Sequence, residues 1–216
     1  MSLPLEGAGG RTRSKGNESM KEDPRISRRH VLKGAGAIAV LGALSSPIVA
    51  AADDGVEATR FRWDILTPAA AITPGGQLSA KASDGSVITM TGSGMFRPGH
   101  PDDVTGGGTW TTAGGAVGSH SGTYRVMSLV MFTRAPGALP PDTIDLIGRV
   151  VDARAGFAVF RIRYSNGSSG VLCFSCMLPG SPDSVLEGIT ASMGFVDFWN
   201  SVAAPQTIFH VASRRD

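Results

Sequence analysis

The stretch Gly156–Leu178, GFAVFRIRYSNGSSGVLCFSCML, decides how this chain folds. In its first half, apolar residues and arginines alternate with a period of two, which is typical of a strand with one buried face. The apolar members are Ala158, Phe160, Ile162 and Tyr164, and the arginines between them are Arg161 and Arg163. A second apolar run follows Asn166-Gly167, and Asn-Gly between two such runs is typical of a tight hairpin turn. The stretch therefore predicts a β-hairpin with one face in the core.

The rest of the chain also favours short strands. Asp84-Gly85 predicts the turn of a second hairpin, between 77–82 and 87–96. Further strands are predicted at 61–66, 109–112, 122–132 and 207–211. The segment 97–110 is rich in Gly, Pro and Asp, which predicts a loop. Ser181 or Asp183 is a suitable N-cap, so a short helix is predicted near the C-terminus.

These elements amount to seven or eight strands with short antiparallel connections. An open sheet of that size leaves two edges exposed, and closure into a barrel removes them. We therefore expect an all-β fold, a small antiparallel β-barrel with one short helix, and a two-sheet β-sandwich is the alternative. The expected domain, 53–216, has 164 residues, which is enough for one hydrophobic core.

A short glycine-rich stretch supports the barrel. Val104–Trp110, VTGGGTW, resembles the V-T-G-G-x-G-x-F stretch of the allene oxide cyclase and dirigent barrel superfamily, with the third glycine displaced to Gly108. The resemblance covers only these residues. It implies a barrel and carries over no catalytic residue.

The segment that precedes the expected domain contains two adjacent arginines. Residues 27–33, SRRHVLK, closely resemble the twin-arginine (Tat) signal consensus S-R-R-x-F-L-K, with Arg28 and Arg29 as the twin arginines. An apolar run rich in Ala and Gly follows, and small residues come before the expected cleavage site, between Ala52 and Asp53. The resemblance implies export of the folded protein by the Tat translocation machinery, followed by cleavage by signal peptidase.

The chain is accordingly divided into three parts. Residues 1–19 are polar and without periodicity, and we interpret them as a mis-annotated or disordered extension in front of a start at Met20. Residues 20–52 form the expected signal peptide, and 53–216 form the exported domain, in the periplasm, at the cell surface or outside the cell. A membrane anchor needs about 20 strongly apolar residues. The apolar run here is weaker, so no permanent membrane span is expected.

The expected exported domain is close to neutral. The whole chain has a formal charge of +2, but residues 1–52 hold 8 of its 20 basic and 4 of its 18 acidic residues. The remainder has 12 basic and 14 acidic residues. This balance indicates neither nucleic acid nor an anionic membrane as a partner.

Cys173 and Cys176 fall inside the second strand of the hairpin. Residues three apart in a strand point to opposite faces and lie about 10 Å apart, whereas a disulfide needs Cα atoms within about 7 Å. We therefore predict two free thiols rather than a redox motif or half of a metal site. Cys176 shares its face with Leu172, Phe174 and Leu178, so it is expected to be the more buried of the two.

Candidate catalytic and metal-ligating residues are scattered along the domain. His100, His120 and His210 lack metal-ligand spacing, although a barrel mouth could bring the loops of His100 and His120 together. No G-x-S-x-G elbow is present. The loop carboxylates are interpreted as turn residues: Asp102, Asp103, Asp142 and Asp145. We expect no metal site, and catalytic residues and cofactors stay unassigned.

Three functional hypotheses remain open. The leading one is a small, partly apolar ligand bound in the lumen of the barrel. The others are an isomerase- or cyclase-type enzyme on the same scaffold and a secreted structural or interaction module. Arg161 and Arg163 are expected to face solvent, whereas in the lumen they would recognise an anion. An apolar lined interior indicates a binder, converging acid–base groups an enzyme, and a packed interior a module.

Overall fold

The computed structural model describes residues 59–67, 69–202 and 206–212. Within these residues the chain forms strands, a single 3-10 turn at Val150–Asp152 and no α-helix. The strands are β1 (Phe61–Thr67), β2 (Thr73–Pro74), β3 (Leu78–Lys81), β4 (Val87–Met90), β5 (Ser93–Arg97), β6 (His100–Ala113), β7 (His120–Ala135), β8 (Ala153–Tyr164), β9 (Ser169–Cys176), β10 (Gly188–Met193), β11 (Val196–Phe198), β12 (Asn200–Val202) and β13 (Thr207–Val211). The expected all-β class is confirmed.

Six of these strands close a barrel. Strand β8 pairs with β13, β13 with β1, β1 with β5, β5 with β6, β6 with β7, and β7 with β8, all antiparallel. Strands β9, β10 and β11 extend the sheet beyond β8, and β4, β3 and β12 extend it beyond β6. The fold is therefore the expected antiparallel barrel rather than the sandwich, and β6 and β8 each serve both the barrel and an extension.

The hairpin predicted from Gly156–Leu178 is β8–β9. Its register runs from Gly156 opposite Cys176 to Arg163 opposite Ser169. At the turn, the Tyr164 amide donates to the Ser168 carbonyl at 2.9 Å, and Gly167 has a φ of +89°, which glycine adopts without strain. The Asn-Gly signal thus predicted both the turn and the strands that flank it.

Aromatic rings fill the barrel interior. Neighbouring rings lie 4.7–5.9 Å apart between centroids, in stacked, tilted and edge-on contacts. The rings are those of Phe61, Trp63, Phe96, Phe132, Phe160, Phe174 and Phe209. Because they come from strands all around the barrel, a single apolar cluster holds the closed sheet together.

The loop predicted at 97–110 is wrong, because most of this segment is strand β6. At Gly106–Gly108 the strand passes from β5 to β4 on one side while β7 runs along the other. A Cβ on Gly106 or Gly107 would overlap a carbonyl oxygen of a neighbouring strand, and a Cβ on Gly108 would overlap the carbonyl oxygen of Thr91, between β4 and β5. The glycines therefore allow close approach of backbones within the sheet. A high glycine content is also typical of loops, which is why the sequence predicts a loop here.

The helix expected after Ser181 or Asp183 is replaced by strands in the described residues. The Ser181 hydroxyl accepts from the Leu178 amide at 3.0 Å and donates to the Pro136 carbonyl at 2.7 Å, so it fixes a turn. Gly188 then opens β10 opposite Ser175. The described chain has thirteen strands instead of seven or eight, because the run predicted at 87–96 is divided into β4 and β5, and β2, β10, β11 and β12 lie where no strand is predicted.

Candidate ligand-binding pocket

A cavity of about 570 Å³ lies on the outside of the barrel, and we call it the outer pocket. Its floor is the outward face of β8, β9 and β10, where Phe157 lies opposite Ser175 and Ser175 opposite Gly188. The next outward row contains Cys173 and Thr190, which are also neighbours across the sheet. Because side chains alternate along each strand, these residues face away from the aromatic interior.

The walls of the outer pocket come from separate parts of the chain. They are 134–136 at the end of β7, 184–187 before β10, and Trp199 with Ser201 near β12. Leu186 is 74% exposed and Trp199 is 65% exposed, although both are large apolar side chains. Large apolar groups at the rim of a concave site are typical of ligand-binding surfaces.

The wall at 184–187 is tied to the barrel by hydrogen bonds. The Ser175 hydroxyl donates to the Leu186 carbonyl at 2.5 Å. One carboxylate oxygen of Glu187 accepts from the amide and the hydroxyl of Thr207, both at 2.7 Å, and the other accepts from the Met177 amide. Burial raises the pKa of Glu187 to about 7. Glu187 therefore anchors the wall, and both of its oxygens are engaged.

The two cysteines lie on opposite faces of β9, as predicted. Both are free thiols, with Cys176 buried in the barrel and Cys173 half-buried in the floor of the outer pocket. Burial raises the pKa of both thiols. Since the thiolate is the nucleophile, Cys173 is a neutral lining group of the pocket near pH 7.

A buried polar pair, which the sequence did not reveal, lies elsewhere on the outer face. His210 Nε2 is 2.7 Å from Asp145 Oδ2, and the two side chains are 3% and 1% exposed. The other oxygen of Asp145 accepts from the amides of Ile147 and Gly148 at 2.9 and 3.1 Å. Asp145 is thus a turn residue, as expected, and it also ties its loop to β13. Neither member of the pair lines the outer pocket.

The remaining candidate residues do not assemble into a site. His100 and His120 lie at the starts of β6 and β7, at opposite ends of β6, since His120 is opposite Thr112. Asp103 forms ion pairs with Arg60 and Arg97 at 3.4 and 3.3 Å. The interpretation as turn residues is wrong for Asp102 and Asp103, which lie in strand β6, whereas Asp142 lies in a turn; Asp102 and Asp142 are exposed. Within the described ranges, no group of three His, Cys, Asp or Glu residues is arranged to hold a metal.

The predicted orientation of Arg161 and Arg163 is confirmed, since both are exposed on the outer face of β8. In the part of the chain that the structure describes, no helix is long and apolar enough to cross a bilayer. The expected signal residues, Arg28 and Arg29, and the expected cleavage site between Ala52 and Asp53 lie outside the described residues.

Comparison with known proteins gives no relative. The chain matches no family model, no curated protein and no solved structure. The function of this protein is therefore inferred from the site itself.

Proposed function

We propose that this protein binds a small, partly apolar ligand in the outer pocket. The observation that carries the proposal is the concave site of about 570 Å³ against the outer face of β8–β10. Small-molecule sites are typically clefts of about 300–1,000 Å³ with mainly apolar walls and a few polar groups. Here Phe157, Leu186 and Trp199 supply apolar surface, and Thr190 and Cys173 supply polar atoms.

The position of the pocket differs from the lumen that the sequence suggested. Aromatic rings with centroids about 5 Å apart occupy the barrel interior, where a ligand would have to displace them. Protein interiors packed in this way tolerate little added volume. A packed interior is the feature expected of a structural or interaction module, so the binding proposal rests on the outer face of the same strands, where the outer pocket offers space that the interior lacks.

An isomerase- or cyclase-type enzyme is less well supported by the same pocket. Such an enzyme needs an acid–base group free to exchange a proton with the substrate. Glu187 has a suitable pKa, but its oxygens accept hydrogen bonds from Thr207 and Met177. Cys173 is protonated near neutral pH. The pocket thus offers recognition rather than proton transfer.

Binding can be tested with an apolar fluorescent probe, titrated into the protein and followed by its emission and by that of Trp199. The two other tryptophans, Trp63 and Trp110, are buried. We expect Thr190→Phe, which adds volume to the pocket floor, to weaken probe binding about tenfold or more. Thr111→Phe is the matched control, since Thr111 is exposed on strand β6 outside the pocket. Equal loss of binding in both variants, or no binding by the unmodified protein, would contradict the proposal.

We also propose that the domain reaches its compartment by Tat export. The support is the stretch of residues 27–33 with its twin arginines, Arg28 and Arg29. Replacement of both by lysine should retain the precursor in the cytoplasm, as measured by cell fractionation. N-terminal sequencing of the exported wild-type protein should give a start at or near Asp53. Undiminished export of the double-lysine variant would contradict the assignment.

A further inference from the structure

A second cavity, of about 760 Å³, lies on the same outer sheet face and contains three arginines. We call it the arginine cleft. Arg125 on β7 lies directly opposite Arg163 on β8, and Arg161 follows on the same face of β8. All three are exposed. Like charges directly opposite each other on a sheet are destabilising unless something neutralises them.

No carboxylate in the described residues neutralises these arginines. None of the ion pairs within 4.0 Å in that part of the chain includes Arg125, Arg161 or Arg163. Among the described residues, the only side-chain partner of these three arginines is neutral, since Arg163 donates to the Ser169 hydroxyl at 2.9 Å. Guanidinium groups match the geometry of carboxylate and phosphate. The arginine cleft is therefore suited to an anionic group.

The arginine cleft and the outer pocket are adjacent. Val159 lines the cleft, Cys173 lines the pocket, and these two residues lie directly opposite each other on β8 and β9. Along the outward face of β8, Phe157 in the pocket is four residues from Arg161 in the cleft, a distance of about 13 Å. The exposed side chains of Met127 and Val130 add apolar surface beside the arginines.

We infer that the ligand of the outer pocket is an amphiphilic anion. Its apolar chain lies in the outer pocket, and its carboxylate or phosphate head group lies on the arginines of the cleft. A medium- or long-chain fatty carboxylate or alkyl phosphate has both parts and the length to join them. This inference rests on the proposed binding function, and it adds the chemical class of the ligand.

Calorimetry with four probes tests the inference, with the two anionic amphiphiles below their critical micelle concentrations and dodecanol below its solubility limit. Dodecanoate and dodecyl phosphate carry the chain and an anionic head, dodecanol carries the chain alone, and inorganic phosphate carries the head alone. We expect both anionic amphiphiles to bind about tenfold or more tightly than dodecanol, because charge-assisted hydrogen bonds are the stronger kind. Inorganic phosphate should bind much more weakly than dodecyl phosphate, because it lacks the chain.

Variants separate the two proposals. The triple change Arg125→Gln, Arg161→Gln and Arg163→Gln should lower the affinity for dodecanoate to that for dodecanol and leave dodecanol binding unchanged. Arg149→Gln is the matched control, since Arg149 is exposed and lines neither cavity. Equal affinities for dodecanoate and dodecanol in the wild type would overturn the inference about the anionic head group, but they would still support ligand binding in the outer pocket. Binding of inorganic phosphate as tight as that of dodecyl phosphate would also overturn it. If dodecanoate, dodecyl phosphate and dodecanol all fail to bind, the proposed binding function itself is contradicted.

Discussion

The inner and outer faces of the β8–β9 hairpin differ in packing, although successive side chains of the same two strands alternate between them. On the inner face, the ring centroids of Phe160 and Phe174 lie 5.5 and 5.4 Å from that of Trp63, and both phenylalanines are fully buried. On the outer face, Phe157 is half-buried in the floor of the outer pocket, and Arg161 is exposed. One strand thus packs one set of side chains into the core and lines the outer pocket and the arginine cleft with the other set. Substitutions on the two faces should therefore separate stability from binding.

The largest expected effect is on the inner face. Phe160→Ala should lower the free energy of unfolding by about 3–5 kcal/mol, because it leaves a cavity among packed rings. Phe157 lies three residues before Phe160 and is only half-buried. Phe157→Ala should therefore lower the free energy of unfolding by only about 1–2 kcal/mol. Urea denaturation measures both. Equal losses would mean that the two faces are not distinct, and Phe157→Ala should in addition weaken probe binding.

Burial of polar groups provides a second contrast, this time within the outer face. The pair of Asp145 and His210 is covered, whereas the outer pocket is open. Asp145→Ala should cost about 2–4 kcal/mol, since it leaves His210 buried without its partner. Asp142→Ala, in the same loop but exposed, should change stability little. A small effect of Asp145→Ala in urea denaturation would show that the loop does not depend on this contact.

Glu187 should make the stability of the pocket wall depend on pH. Its pKa is raised from 4.5 to about 7 in the fold, so between these values the folded protein keeps a proton that the unfolded chain releases. The stabilisation is complete below pH 4.5, and it is lost as the pH rises to about 7. The free energy of unfolding of Glu187→Gln should vary less over this interval. Asp183→Asn, an exposed acid of the same segment, is the control and should keep the wild-type profile.

The sequence predicted the fold where the signals were local. The Asn166-Gly167 turn, the alternation in β8 and the opposite orientations of the cysteines follow from neighbouring residues. The strand predicted at 109–112 is confirmed as the end of β6, but the rest of β6 is predicted as a loop, because its glycines allow close contacts with other parts of the sheet that a linear sequence does not show. The short helix expected after Ser181 or Asp183 is a turn instead, and β10 follows at Gly188, where it pairs with the preceding strand β9.

The candidate site was less predictable than the fold. Its floor follows from the alternation of β8 and β9, and the exposure of Arg161 was expected on that basis. Its walls come from three separate segments, and two of them are brought to the floor by the pairing of β7 with β8 and of β9 with β10. Asp145 and His210 are 65 residues apart, so no local pattern joins them. Local patterns thus assigned faces to side chains, whereas cavities required the whole topology.

The smallest expected effect is on the reactivity of the two thiols, which compares the two faces of β9 at positions three residues apart. Cys173 lies in the floor of the outer pocket and Cys176 in the barrel interior. In the native protein, a thiol reagent should modify Cys173 slowly, since its pKa is raised, and should modify Cys176 only after unfolding. The rate at Cys173 should rise with pH as the thiolate forms.

The same reaction then reports on the pocket. A bound amphiphile covers the floor, so dodecanoate should protect Cys173 from the reagent, while dodecanol should protect it only at higher concentration. Cys173→Ser supplies the control, because the remaining thiol should stay unreactive in the folded state with or without either probe. Mass spectrometry of the labelled protein identifies the modified residue. Prior modification of Cys176, or a bond between the two sulfurs, would show that β9 does not separate the faces, since residues three apart in a continuous strand cannot meet.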